Sequence, residues 1–235
     1  MTQDLTHDLT QEPISAEPSS LQRELVAACR ILVSEGVSGA AFNVSCRLDG
    51  DRWMTIPVTS PTLVTEDNVV VSELQGGFDG WKAHPAIYRQ RADVGGIVHV
   101  HPLHVVAFST LDEDFVPVHH YGAPFHGMLA TYTSTGQTKN EDRAAEMARQ
   151  LGQNRALLQR GHGVITVGKD LREAVLLALY LEEALRVKLL AGQMGTPRRL
   201  SREESEVITP QILKQRSQDK MWDHCLSQAK INGYL

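Results

Sequence analysis

Cysteine is scarce in this chain of 235 residues: Cys29, Cys46 and Cys225 are all there is. An odd number at wide spacing excludes a disulfide framework and a cysteine-based zinc site, so the three read as reduced thiols of a cytoplasmic protein. Long apolar runs are missing too. No stretch of about 18 apolar residues occurs, and no membrane-spanning helix is expected. The opening Met-Thr-Gln-Asp-Leu-Thr-His-Asp lacks the basic start and apolar stretch of a signal peptide. Positive charge is in deficit, with 23 Lys and Arg against 28 Asp and Glu and a net charge of -5, which argues against nucleic acid as a partner. No Gly-x-Gly-x-x-Gly follows a strand and no Gly-Lys-Ser/Thr is present, so nucleotide binding has no motif to rest on.

Apolar residues at 42% and charged residues at 22% are ordinary for a globular protein, and the length suits one α/β domain. Residues 1–20, rich in Thr, Ser, Gln, Pro and acid, read as a flexible tail, and 21–235 as a single domain with a helical C-terminal extension. The spacing predicts a helix over 21–33, capped by Ser19 or Ser20 and ended by Gly36. Strands are expected over 40–48, 53–58, 68–74, 94–100 and 163–168, and helices over 82–91, 102–111 and 136–151. Asp170 should cap a long apolar helix running to about residue 190, and the last 40 residues read as helical. Strands and helices alternate without a regular βαβ rhythm, which favours an antiparallel or mixed sheet flanked by helices.

Histidine is what the chain has in excess. There are ten, and seven of them lie between His84 and His126. The most informative segment is Gly96-Ile-Val-His99-Val-His101-Pro102. Residues i and i+2 of a strand share a face, so His99 and His101 present two imidazoles side by side, and Pro102 ends the ladder next to them. His162 stands between Gly161 and Gly163 just before a buried strand, where a ligand can reach inward. Three imidazoles with an open position describe a catalytic metal site. A His-x-His pair also arises as a surface accident or as a core hydrogen-bonding pair, and a lone His162 can cap a turn.

With His84-Pro-Ala-Ile-Tyr88, Arg91-Ala-Asp93 through Pro102, Gly122-Ala-Pro124, Leu157 through Val164 and Asn43-Val-Ser45-Cys-Arg47 in this order, the chain resembles the class II aldolase/adducin family of metal-dependent lyases. The likeness runs from about Leu21 to Leu200. It implies a three-layer αβα fold (α/β class) with a central, mostly antiparallel sheet. It also implies one divalent ion per chain held by His99, His101 and His162, and a homotetramer with sites at subunit interfaces. Zinc, manganese, iron and cobalt all accept imidazole, and the ligand types do not choose among them.

The chain departs from the members that act on sugar phosphates. Their Gly-Asn-x-Ser loop reads here Phe42-Asn43-Val-Ser45. Their Thr-Pro-Ser-Gly loop reads Thr59-Ser60-Pro61-Thr62-Leu63, without glycine. Their acidic segment reads Gly76-Gly-Phe78-Asp79-Gly80-Trp81, with Gly80 where the catalytic acid stands and Asp79 one place early as a substitute or a turn residue. A phosphate cradle of backbone N–H groups is therefore not expected, and Phe42, Phe78 and Trp81 suggest an apolar pocket or simply core. The branch of the family that decarboxylates hydroxylated aromatic or pyridine dicarboxylates fits better. His119 and His120, with Tyr121 behind them, are the expected proton donors. Asn43, Phe42, Ser60 and His84 are expected to line the substrate, with Arg47 or Arg160 holding its carboxylate. The expected partner is a small molecule. An aldolase or epimerase of a non-phosphorylated hydroxy-carbonyl compound is the alternative, and the non-catalytic adducin branch is disfavoured by the intact histidine trio.

Overall fold

The computed structural model describes residues 18–37, 39, 41–76, 78, 80–134 and 140–235. The first helix, α1 (Pro18–Ser34), begins at a proline whose fixed φ suits the first helical turn. Ser19 and Ser20 therefore lie inside the helix and not at its cap. Gly36, at φ 67°, turns the chain out of it. Two antiparallel strands follow, β1 (Asn43–Arg47) and β2 (Arg52–Thr55), and then the edge strand β3 (Val70–Glu73). Helix α2 (Ala83–Gln90) leads to β4 (Gly96–Val100), which is buried along its whole length, and to α3 (Leu103–Ser109).

A short strand that periodicity did not reveal, β5 (Leu129–Tyr132), precedes α4 (Glu141–Leu151). Asn140 caps α4 by accepting from the Arg143 backbone N–H, and positions 136–139 of the expected helix lie outside the described residues. A second unforeseen strand, β6 (Ala156–Gln159), turns directly into β7 (Gly163–Gly168). Asp170 caps α5 (Leu171–Met194) as expected, accepting from the Glu173 N–H at 2.8 Å. Helices α6 (Arg202–Leu213) and α7 (Gln215–Ile231) complete the chain. No helix among the described residues is long and apolar enough to cross a membrane.

The seven strands form one sheet in the order β3-β2-β1-β4-β7-β6-β5. Every pairing is antiparallel except β5 with β6. The pleat divides the core in two. One face sends Val44, Cys46, Val98, Val100, Val164 and Leu158 toward α1, α3, α5 and α7. The other sends Trp53, Ile97, Ile165, Val167 and Leu157 toward α2 and α4. The result is the three-layer αβα arrangement with a mostly antiparallel sheet. The layering places β4 and β7 at the centre, and the segments that leave their adjacent ends are held by core on both sides.

Candidate metal centre

His99 sits one residue before the end of β4, between Asn43 of β1 and Ile165 of β7 in the register. Two residues on, His101 leaves the strand on the same side. The β6–β7 hairpin brings His162 to meet them: the His162 N–H donates to the Gln159 carbonyl at 2.9 Å, Gly161 takes φ 64°, and the Gly161 N–H donates to Ser109 Oγ at 2.9 Å. The end of α3 thus anchors the hairpin that carries the third histidine.

The three Nε2 atoms converge. His101 Nε2 lies 3.1 Å from His99 Nε2 and 3.0 Å from His162 Nε2. The proton positions follow from the outer nitrogens. His99 Nδ1 lies 3.1 Å from the Val164 carbonyl, which can only accept, so Nδ1 carries the proton. The Gln159 amide reaches the same nitrogen at 3.3 Å, and its oxygen rather than its nitrogen belongs there. His101 hydrogen-bonds the backbone of Ala41. Two, at least, of the converging Nε2 atoms therefore face each other with lone pairs. Bare lone pairs at this separation repel, and a cation among them removes the repulsion. Tetrahedral ligands at about 2.0–2.1 Å from a metal would stand roughly 3.3 Å apart, close to the two spacings from His101, and the three ligand atoms all lie within 4.8 Å of one another. The donor set fits a divalent ion, and these three residues could hold one.

Electrostatics agree with that role. Burial holds the His99 imidazole well below its ordinary pKa, aided by the neighbouring His101, His162 and His84. Burial also lowers His101, with help from His162, and lowers His162. All three are neutral near pH 7, the form in which imidazole binds metal. His99 is only 9% exposed while His162 is exposed, so the centre is supported from within and open on the His162 side.

Behind His99 lies a polar group that packs against the sheet. His84, in the first turn of α2, is 1% exposed, and burial drives its pKa down to about 3. Its Nδ1 meets Ser45 Oγ at 2.7 Å, and Ser45 Oγ meets Tyr88 Oη at 2.9 Å. Asn43, the cross-strand neighbour of His99, is 6% exposed, and its Oδ1 has no partner among the described residues. Ser45, Tyr88 and Gln159 were not foreseen as parts of the site. The signals for the first two were the i, i+2 spacing of Asn43 and Ser45 and the i, i+4 spacing of His84 and Tyr88, which put each pair on one face.

Other expected residues fall elsewhere. Phe42 precedes Asn43, so alternation turns it to the opposite face, where it is buried with the α1 and α5 core. Arg47 is four residues down β1 from Asn43, and its guanidinium donates to the carbonyls of Tyr88, Arg91 and Val94 at 2.8–3.0 Å. It closes the C-terminal end of α2. Removing these charge-assisted bonds in Arg47→Ala should cost about 3 kcal/mol, read as a lower unfolding midpoint with the metal stoichiometry intact.

Ser60 is part-exposed in a loop that Arg30 ties to α1 through the Pro61 and Val64 carbonyls, and its Oγ bonds Thr62 Oγ1 at 3.0 Å. Arg160 is exposed on the hairpin, two residues from His162. The contacts of His119 and Tyr121 run to each other and to α5, where Tyr121 stacks on Tyr180 at 4.4 Å and Glu183 acts on both. His120 faces α6 beside Leu200 and Val207. Asp79 lies outside the described residues. Phe78 packs edge-on against Trp53 with centroids 5.4 Å apart, and its ring covers Gly80 so closely that a Cβ there would collide with it.

The chain is similar in sequence and in fold to several known proteins. L-fuculose phosphate aldolase of Haemophilus influenzae is 27% identical over 205 residues, 81% of this chain and 92% of that protein. The 3,4-dihydroxyphthalate decarboxylase of a Terrabacter species is 28% identical over 197 residues, 74% of this chain and 82% of that protein. Decarboxylase NovR of Streptomyces niveus is 26% identical over 66% of this chain, which spans 59% of NovR's length. Among solved structures, the L-fuculose 1-phosphate aldolase of Glaciozyma antarctica PI12 superposes with a TM-score of 0.80, covering 96% of this chain and 94% of that one at 22% identity. The Class II Aldolase and Adducin N-terminal domain matches residues 23–189, and the chain belongs to that family.

Proposed function

We propose that this chain is a metal-dependent carbon–carbon lyase that decarboxylates a hydroxylated aromatic acid of the dihydroxyphthalate type. The observation that carries the reading is at Gly80. The Phe78 ring fills the space into which a side chain at position 80 would project, so the place where sugar-phosphate aldolases carry their acid is occupied by an aromatic surface. The 3,4-dihydroxyphthalate decarboxylases of Terrabacter and Arthrobacter keyseri, 28% and 27% identical, support the same choice.

In this reading His99, His101 and His162 hold one divalent ion, with zinc, manganese, iron and cobalt all compatible with three imidazoles. Such an ion, when bound, supplies Lewis acidity that stabilises negative charge on a substrate oxygen as CO2 departs. Val164 and Gln159 orient His99, and the Ser109 contact fixes the hairpin of His162. In this reading Arg160, exposed two residues from His162, draws in a carboxylate. His119 or His120 returns the proton to the vacated ring carbon. Both lie against α5 and α6 within one chain, so this role calls for a neighbouring copy, in the tetramer that the resemblance implies.

The test is a panel of ortho-hydroxy aromatic and pyridine carboxylates assayed for CO2 release in D2O. One deuterium at the vacated carbon is expected for at least one substrate, with no useful turnover of fuculose, rhamnulose or ribulose phosphates. Inertness toward the whole panel, with cleavage of a hydroxy-ketone into two carbonyl products, would establish the aldolase reading instead. That alternative is favoured by the fuculose phosphate aldolase relative, of which the chain covers 92%.

A further inference from the structure

The row formed by Tyr88, Ser45 and His84 has a direction. His84 and Tyr88 stand one turn apart on the buried face of α2 and share one partner, Ser45 of β1. Ser45 Oγ has a single proton and two neighbours, so it donates to one and accepts from the other. In the first arrangement the Tyr88 hydroxyl donates to Ser45, Ser45 donates to His84 Nδ1, and the imidazole proton sits on Nε2. In the second, His84 Nδ1–H donates to Ser45, Ser45 donates to Tyr88, and the Tyr88 proton has no acceptor while Nε2 is bare. The first leaves one buried polar group unmatched and the second leaves two, so the first is favoured. Burial keeps the proton on Tyr88 by pushing its phenol well above the ordinary pKa.

The unmatched group of the first arrangement is His84 Nε2–H. It lies across the ring from Ser45, fully enclosed, with no partner among the described residues. Asn43 is on the same face, two residues along β1 from Ser45, and pairs with His99. Its Oδ1 is equally enclosed and unmatched. A charge on His84 is felt at His99. Ser45, which holds His84, and Asn43, the cross-strand neighbour of His99, therefore stand two residues apart on one face of β1.

We propose that Tyr88 and Ser45 are positioning residues that lock His84 in its Nε2–H tautomer, and that His84, whose Nε2–H is closed to solvent in the free protein, offers it as an uncharged hydrogen-bond donor to an anionic oxygen when a substrate bound at the histidine triad opens that face. A neutral donor suits the place, because an imidazolium there would repel a divalent cation. The inference rests on the triad being the substrate centre and is independent of which bond is broken.

The experiment uses full-length, zinc-loaded protein with 15N-labelled histidine. Long-range proton–nitrogen spectra are assigned with His84→Gln, and 2,3-dihydroxybenzoate and glycolate serve as probes. In the free protein His84 should show a bare Nδ1 and a protonated Nε2. Adding dihydroxybenzoate should move the Nε2–H resonance downfield, and His84→Phe should raise the probe's Kd about tenfold or more. Ser45→Ala should lose both the tautomer signature and the probe shift at unchanged zinc content. If that variant fails to fold, the milder Tyr88→Phe should show mixed tautomers. A protonated Nδ1 in the free protein overturns the proposal. So does a His84 signal indifferent to a probe that moves the triad's resonances. Triad resonances that respond to neither probe overturn the reading of the centre and the proposal together.

Discussion

His101→Ala is expected to abolish metal binding and with it catalysis. His101 Nε2 is the shared neighbour of the other two imidazoles, at 3.1 and 3.0 Å, so its loss leaves two ligands that no longer face each other across a third. Loss of a partner outside a ligand set already costs roughly 10–100-fold in affinity or activity, and loss of a central ligand should exceed about 10²-fold. The fold should survive, since His101 belongs to neither core cluster. The decisive measurement is a thermal shift with added metal. Wild type at a hundredfold excess over Kd should gain about 2.7 kcal/mol of stability, and the variant nothing. An equal gain in both proteins would remove His101 from the site.

Gly163→Ala should have the next largest effect, for a reason that touches no ligand directly. A Cβ at Gly163 would run into the Val100 carbonyl and come within 2.7 Å of His101 Cδ2. Gly163 opens β7 next to Val100 of β4, so the methyl group can be accommodated only by parting the ladder or by turning the His101 ring. Overpacking of this kind costs about 1–3 kcal/mol, and displacement of the ring should lower metal affinity roughly 10–100-fold. Gly192→Ala is the matched control. It lies exposed in α5 with nothing near its Cβ position, and should raise stability by about 0.5–1 kcal/mol as a helix propensity effect, with metal binding unchanged. Metal titration followed by calorimetry separates the two. Equal affinities would mean that His101 has room the packing does not suggest.

The long elements were legible because each carries a complete local signal. The run after Asp170 supplies its own cap and an apolar sequence long enough to be buried, and β4 is apolar and β-branched between a glycine pair and Pro102. Strands β5 and β6 were not legible. Each has four residues, too few to display a period, and β6 is buried on both faces, so it does not alternate. Their identity comes from pairing with each other and with β7, which local sequence does not encode.

The site divides along the same line. The sequence by itself determined that His99 and His101 share a face, because the period of a strand is two. It also determined that Gly80 offers no acid, since glycine has no side chain. The sequence already names His162 as the third candidate; only the tertiary structure decided how it reaches the other two, because a 61-residue separation is closed by the β4–β7 register and the hairpin anchored on Ser109. It also decided that Phe42 and Arg47 serve the core and the end of α2, while His84 is buried against Ser45. Those outcomes depend on which face and which end of a strand meets which helix. That is set by packing two hydrophobic faces against one sheet, a property of the whole chain and not of any segment.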